Sequence, residues 1–160
     1  MTSAIFSAVP LWVFPLLFGL IWLGRRATRD RAVSPWLLYA LPLLGLMSLN
    51  RALGLPLAEI ALTALMVTYL LGVALGYAVQ PLWIVMHDAR RVHLRGEWVT
   101  MISILGLFSL NFAAGMIQGM DPAMSEALIP TFVFGAAAGL LSGTLAGRAI
   151  RVALWPMQAG

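Results

Sequence analysis

An otherwise apolar chain is interrupted by one long charged stretch, Met86-His87-Asp88-Ala89-Arg90-Arg91-Val92-His93-Leu94-Arg95-Gly96-Glu97. Three apolar segments precede this stretch and two follow it, and each is near the roughly 20 residues that a helix needs to cross about 30 Å of hydrocarbon. The predicted helices occupy residues 6–23, 34–52, 57–79, 98–117 and 128–147. We therefore predict an all-α membrane protein with five transmembrane helices that form a single domain over residues 1–160.

Composition supports the same fold class. Hydrophobic residues make up 61% of the 160 residues and charged residues 10%, against roughly 45–50% and about 25% in soluble domains. A soluble protein could not cover so much apolar surface. The net charge of +4 would suggest nucleic acid in a soluble protein, but these basic residues flank apolar segments, where anionic lipid head groups are the nearer partner. The absence of cysteine excludes disulfides and thiolate metal sites.

The arginines predict the orientation in the membrane. All ten basic residues are arginine, and nine of them follow the first, third or fifth apolar segment: Arg25, Arg26, Arg29, Arg31, Arg90, Arg91, Arg95, Arg148 and Arg151. Basic residues concentrate on the cytoplasmic side of inner-membrane proteins, so the N-terminus is predicted outside and the C-terminus inside. The first segment carries its charges after the apolar core, the reverse of a secretory signal, and is interpreted as a retained helix.

An internal repeat links the second half of the chain to the first. The stretch 44–54, LGLMSLNRALG, matches 105–115, LGLFSLNFAAG, at eight of eleven positions. The following segments match more weakly through Gly72-x-x-x-Gly76 and Gly143-x-x-x-Gly147. We interpret helices 2–3 and 4–5 as related hairpins in the same orientation, a parallel repeat about an axis near the membrane normal. The alternative is chance similarity between segments rich in Leu, Gly and Ala.

Polar residues of the repeat are candidates for a binding site. A carboxamide facing hydrocarbon is costly, so Asn50 and Asn111 should turn toward a partner or a cavity. We predict that they line a small polar pocket together with Arg51 and Glu59. A structural hydrogen-bond network or an interfacial ion pair is the alternative.

Small residues are predicted to let the helices approach one another closely. They lie at helical spacings of three and four residues, and the positions expected in helix contacts are Gly45, Ser48, Gly106, Ser109, Gly72, Gly76, Gly143 and Gly147. The glycine pairs are expected to form contacts within the chain rather than between copies of it.

The charged stretch itself could form a short β-hairpin over the inner head groups, because β-prone runs flank residues 87–91. The arginines predicted to contact lipids or a partner there are Arg25, Arg26, Arg90, Arg91, Arg95, Arg148 and Arg151. The alternative is a solvated loop that only sets topology. His87 and His93 lie on one link without a third ligand on a helix, so we predict no metal or haem site and no cofactor.

The layout resembles a family of small bacterial inner-membrane proteins related to the CcdC-like group. The resemblance rests on Gly24-Arg25-Arg26 after a short first helix, on the stretch 90–98 (RRVHLRGEW), and on a last helix that contains Leu141-Ser142-Gly143 and Gly147-Arg148. It implies a multi-pass protein of the bacterial inner membrane. That family has no settled activity, so the resemblance implies no catalytic residues.

Two functional hypotheses follow. The chain lacks the usual hydrolase, P-loop and dinucleotide-binding motifs, so we predict that it is not an enzyme. The leading hypothesis is a membrane subunit or scaffold that packs against membrane lipids, other membrane proteins or itself, without nucleic acid. The alternative is a small oligomeric carrier or channel with a polar site at Asn50 and Asn111.

Overall fold

The computed structural model describes residues 13–87 and 91–156, without the side chains of His87 and Ser125. The described helices are α1 (Val13–Ala27), α2 (Pro35–Ala40), α3 (Leu44–Leu53), α4 (Ala58–Val79), α5 (Val99–Met120), α6 (Pro122–Ser125) and α7 (Leu128–Ala153). The described strands are β1 (Arg31–Val33), β2 (Ile84–His87) and β3 (Val92–Leu94). One 3-10 turn, Leu41–Leu43, joins α2 to α3, and another, Gln80–Leu82, follows α4.

Four helical segments in this part of the chain are long and apolar enough to cross a membrane. They are Pro35–Leu53, Ala58–Leu82, Val99–Met120 and Leu128–Ala153, and they correspond to four of the five predicted spans. The remaining predicted span, 6–23, begins outside the described residues; its described part is α1, which continues to Ala27. By length and composition, the chain is therefore a helical membrane protein.

Proline positions explain how the shortest span begins and where it changes geometry. The backbone of Ser34 is extended, and Pro35 occupies the first turn of α2, where its missing N–H is no loss. Pro42 lies in the 3-10 turn between α2 and α3, because a proline cannot donate the hydrogen bond that an uninterrupted α-helix requires. The predicted second helix is thus two short helices in one span.

Helices α4 and α7 pack together in parallel through glycines. Successive glycines of α7 lie against carbonyl oxygens of α4 residues that also advance by four, in the pairs Gly135–Ala61, Gly139–Leu65, Gly143–Tyr69 and Gly147–Val73. The same holds in the other direction, since Gly72 lies against the carbonyl of Leu140 and Gly76 against that of Thr144. A Cβ atom at any of these glycines would overlap the facing backbone, so only glycine permits this approach.

A three-stranded antiparallel sheet covers one end of the helices. β3 is the central strand, with β2 on one side and β1 on the other. The antiparallel pairing of β2 with β3 agrees with the predicted hairpin, whereas β1 was not predicted. Buried Val33, Val92 and Leu94 of the sheet pack with Leu38 of α2 and Val152 of α7. The links after α1 and after α4 therefore meet the end of α7 at the same end of the bundle.

Candidate functional site

A groove of about 890 Å³ lies between α1, α3 and α5. Its walls are mainly apolar, with α1 contributing Val13, Leu16 and Leu20 and α5 contributing Ile104, Phe108 and Phe112. The rings of Phe108 and Phe112 stack on one another, with centroids 6.1 Å apart. Lining residues on α5 extend from Ile104 to Met120, which at 1.5 Å per residue is about 24 Å. We call this space the groove; it is longer than the roughly 15 Å of hydrocarbon in one leaflet.

Polar side chains occupy the half of the groove that lies nearer the ends of α3 and α5. Asn50 and Arg51 reach it from the last turns of α3, and Asn111 and Gln118 reach it from α5. Asn111 Nδ2 donates to Ser48 Oγ at 2.7 Å and to the Leu107 carbonyl at 2.8 Å. The side-chain oxygen of Asn111 and the side-chain amide of Asn50 form no hydrogen bond to another described residue. The structure thus brings three of the four predicted pocket residues together, and the Asn111 pairing links the two matching stretches of the repeat.

Arg51 is the one charged residue in the described lining of the groove. Its Nη1 donates to Gln118 Oε1 at 2.7 Å. The guanidinium lies over Gly115, where an added Cβ would come within 2.6 Å of Arg51 Nη2. No carboxylate among the described residues pairs with it. Glu59, the fourth predicted pocket residue, lies in the first turn of α4 and does not line the groove.

A second polar site, which we call the polar cluster, lies at the opposite end of the bundle beside the sheet. It consists of Gln80, Glu97, Thr100 and Arg148, each at most 4% exposed. Arg148 donates to Glu97 Oε1 at 2.7 Å, to Thr100 Oγ1 at 2.8 Å and to Gln80 Oε1 at 2.5 Å. Its guanidinium also lies 5.3 Å from the ring centroid of Trp83. The polar cluster joins α7, the start of α5 and the end of α4.

Electrostatics in the polar cluster favour the ionised carboxylate. Burial tends to raise the pKa of Glu97, but the charge of Arg148 and hydrogen bonds from Arg148 and Thr100 outweigh it. The pKa of Glu97 therefore lies below its ordinary value. At nearby Arg31, burial lowers the pKa, against the opposing attraction of Glu97. The carboxylate thus serves mainly to hold buried guanidinium charge at this end of the bundle.

The arginines predicted to contact lipids or a partner differ in their exposure. Those exposed are Arg25, Arg26, Arg91 and Arg95, and Arg26 lies 5.8 Å from the ring centroid of Trp22. The prediction for Arg148 is wrong, because its side chain is buried in the polar cluster and cannot contact a lipid or a partner. Arg151 is half-buried and donates to Tyr77 Oη at 2.7 Å. Arg90 and the side chain of His87 lie outside the described residues.

Two of the predicted packing residues of the repeat, Gly45 and Gly106, lie against α7. A Cβ at Gly45 would lie 2.7 Å from Ser142 Cβ, and one at Gly106 would lie 2.9 Å from a methyl carbon of Leu141. Ser48 is fully buried, whereas Ser109 is exposed. Both halves of the repeat therefore use the same region of α7, but their serines have different surroundings.

Sequence reasoning missed Gln80, Thr100 and Gln118. Gln80 stands before a proline and Thr100 starts an apolar segment, so neither position indicates a role until Arg148 is known to be buried. Gln118 is two residues before the end of α5. Its position one turn beyond Gly115, on the helix that carries Asn111, is the signal that could have indicated it.

His93 lies in the central strand and is partly buried. Across the described parts of the chain, no three His, Asp or Glu side chains converge in a way that could hold a metal ion.

No family model, no curated protein and no solved structure matches the chain, and the resemblance to the CcdC-like group stays a prediction.

Proposed function

We propose that the protein is a non-enzymatic integral membrane protein that holds a lipid-like molecule in the groove between α1, α3 and α5. The observation that carries this proposal is the shape and chemistry of the groove. The lining along α5 spans about 24 Å; it is apolar from Ile104 to Phe108, and two asparagines, a glutamine and one arginine lie between its middle and its other end. An apolar chain with a polar end matches this distribution, because each part of the molecule meets groups of its own polarity.

The lining also favours binding over catalysis. Its described residues include no carboxylate, histidine, serine or threonine, which are the side chains that most often act as a base or a nucleophile. This fits the role of a scaffold or subunit that packs against membrane lipids and other membrane proteins.

The proposal includes the orientation and the location: five spans in a bacterial inner membrane, with the N-terminus outside and the C-terminus inside. Its support is that the arginine-rich links after α1 and α4 share one sheet and meet the end of α7. Arginines of three separate regions therefore lie at one end of the bundle, as the positive-inside rule requires of a cytoplasmic face. On this orientation, Arg51 and the polar end of the groove lie toward the outer leaflet.

We also propose that the chain arose by duplication. A shift of 71 residues relates Gly72 to Gly143 and Gly76 to Gly147. The same shift relates the contact of Gly72 with Leu140 to that of Gly143 with Tyr69, and the contact of Gly76 with Thr144 to that of Gly147 with Val73. Such reciprocal contacts are typical of a two-fold axis, here one that relates α4 to α7 but not α3 to α5, because Gly45 and Gly106 both lie against α7.

A carrier or channel with a polar site at Asn50 and Asn111 is the second candidate, favoured by the presence of both residues in one groove. A carrier would have to open a path past Ile104 and Leu107, which are at most 2% exposed. Replacing both asparagines by leucine distinguishes the candidates. Transport would be abolished in a folded carrier, whereas a scaffold has no transport to lose.

The test of lipid binding fills the groove. Gly119 lines it, and nothing lies within 4 Å of a Cβ placed there, so the backbone accepts a side chain at this position and the ring of Gly119→Phe would take up space in the groove. Gly19 has the same free surroundings but lies outside the lining, which makes Gly19→Phe the matched control. Native mass spectrometry in mild detergent should show lipid retention reduced several-fold by Gly119→Phe and unchanged by Gly19→Phe. Equal retention in both variants would contradict the proposal.

A further inference from the structure

We propose that the groove selects an anionic phospholipid, with Arg51 as the residue that recognises the phosphate-bearing head group. This rests on the proposed function and specifies its ligand. The inference concerns the polar end of the groove, where the charge and the hydrogen-bonding capacity of the lining residues are not balanced by other described residues.

The charge of the groove lining favours an anionic ligand. Arg51 is the one charged group in the described lining, and its single described side-chain partner is the neutral Gln118 oxygen. An arginine in such surroundings is stabilised by an anion, and a guanidinium can donate two parallel hydrogen bonds to a phosphate. Only Nη1 of the guanidinium bonds to a described residue, the Gln118 oxygen. The other donors of Arg51 can therefore bind a ligand.

Hydrogen bonding favours the same ligand. The Asn50 amide and the Asn111 carbonyl oxygen line the groove without a bond to another described residue. Asn50 is exposed, so its side chain can bond to a head group without giving up a partner within the described protein. A head group with phosphate and hydroxyl oxygens would satisfy both, since it offers acceptors to the Asn50 amide and donors to Asn111.

The polar groups of the groove lie at the depth of a lipid head group. Arg51 lies in the last turn of α3, and Gln118 lies in the last turn of α5. Both helices end there, so the polar end of the groove lies where the hydrocarbon meets the head groups. The apolar wall runs from that level toward the middle of the bundle, past Phe112 and Phe108 to Ile104. A lipid bound with its head at Arg51 would place an acyl chain along this wall.

The experiment measures head-group preference rather than lipid binding alone. Purified protein in mild detergent is equilibrated with equal amounts of dioleoyl phosphatidylglycerol and dioleoyl phosphatidylcholine, and retained lipids are counted by native mass spectrometry. We expect the wild type to retain the anionic lipid about tenfold more than the zwitterionic lipid. Arg51→Gln should reduce this ratio to about twofold or less while still binding lipid, and Arg51→Lys should recover part of it.

Arg29→Gln is the matched control, because it removes the same charge from an exposed residue that follows α1 at the opposite end. An unchanged preference in Arg51→Gln, or an equal loss in Arg29→Gln, would overturn the inference; the second result would mean that net charge decides. Glycerol 3-phosphate added in excess should not displace the lipid, and displacement would mean that the site takes a free anion instead. Thermal unfolding of each variant verifies that it is folded.

The two proposals fail separately. If Gly119→Phe retains as much lipid as Gly19→Phe, the groove is not a lipid site. If Gly119→Phe loses lipid but Arg51→Gln keeps the wild-type preference for the anionic lipid, the groove binds lipid but Arg51 does not select the charge of the head group.

Discussion

Replacing Arg148 by methionine should destabilise the protein more than any other arginine substitution in the described chain. Arg148 and Glu97 form a contact of 2.7 Å with side-chain exposures of 4% and 2%, so solvent screening is slight. Methionine would leave a buried carboxylate without its counter-charge and would also remove the bonds to Gln80 and Thr100. Removing one partner of a buried ion pair costs about 3–5 kcal/mol.

Thermal unfolding in mild detergent, followed by circular dichroism, measures this loss. For a chain of this size about 1 kcal/mol lowers Tm by roughly 2–4 °C, so Arg148→Met should lower it by roughly 6–20 °C. Arg95→Met, which changes an exposed arginine, should lower it by about 2 °C or less.

A double variant tests whether the effect is a pairing effect. With Glu97→Gln added, the buried charge is gone, so Arg148→Met/Glu97→Gln should lose no more stability than Arg148→Met alone. If the two single losses add to within about 0.5 kcal/mol, the two residues are not coupled and the reasoning about the polar cluster is refuted. A loss below about 1 kcal/mol for Arg148→Met would refute it as well.

Three further outcomes can be measured on the same preparation. Because the pKa of Glu97 is lowered in the fold, the stabilising effect of this carboxylate is complete above its unfolded-state pKa of about 4.3 and is lost as the pH falls through its folded-state pKa. At pH values below about 4, the Tm of the wild type should therefore decrease, and the Tm of Glu97→Gln should decrease less. Gly139→Ala would overlap the α4 backbone and should cost about 1–3 kcal/mol, while Gly19→Ala, with open surroundings, should be neutral or slightly stabilising. Gly96→Ala would overlap the Thr28 carbonyl and should speed amide hydrogen exchange in β1; unchanged exchange there would mean that this close approach is not needed.

The spans were predictable because their signal is local composition, but their ends were less so. The predicted last helix ends at residue 147, and Arg148 is expected beyond it, in contact with lipids or a partner at the cytoplasmic surface. The helix continues to Ala153 because Glu97, Thr100 and Gln80 satisfy that arginine inside the bundle. These partners lie 48 to 68 residues away in the chain, and no periodicity within one segment can indicate such a contact.

The residues of the groove were likewise predictable only where the local sequence marked them. Asn50 and Asn111 stood out because a repeated carboxamide is rare in apolar segments, and the structure places both in one groove. Glu59 was included in the predicted pocket for its charge alone. It lies at the start of α4, which does not line the groove. β1 was missed because three residues, Arg31–Val33, are too few to show alternation, and its pairing depends on β3 more than fifty residues later.

The parallel contact of α4 with α7 has a consequence for biosynthesis. The ribosome delivers α4 to the membrane before α5 and well before α7, so the glycine face of α4 that includes Gly72 and Gly76 must wait for a helix that has not yet been made. During that interval the exposed face can attract any small-residue helix nearby, including the α4 of another nascent chain. Correct pairing therefore cannot form until α7 has been made, and a chain interrupted before residue 128 would leave the glycine face of α4 without its partner helix.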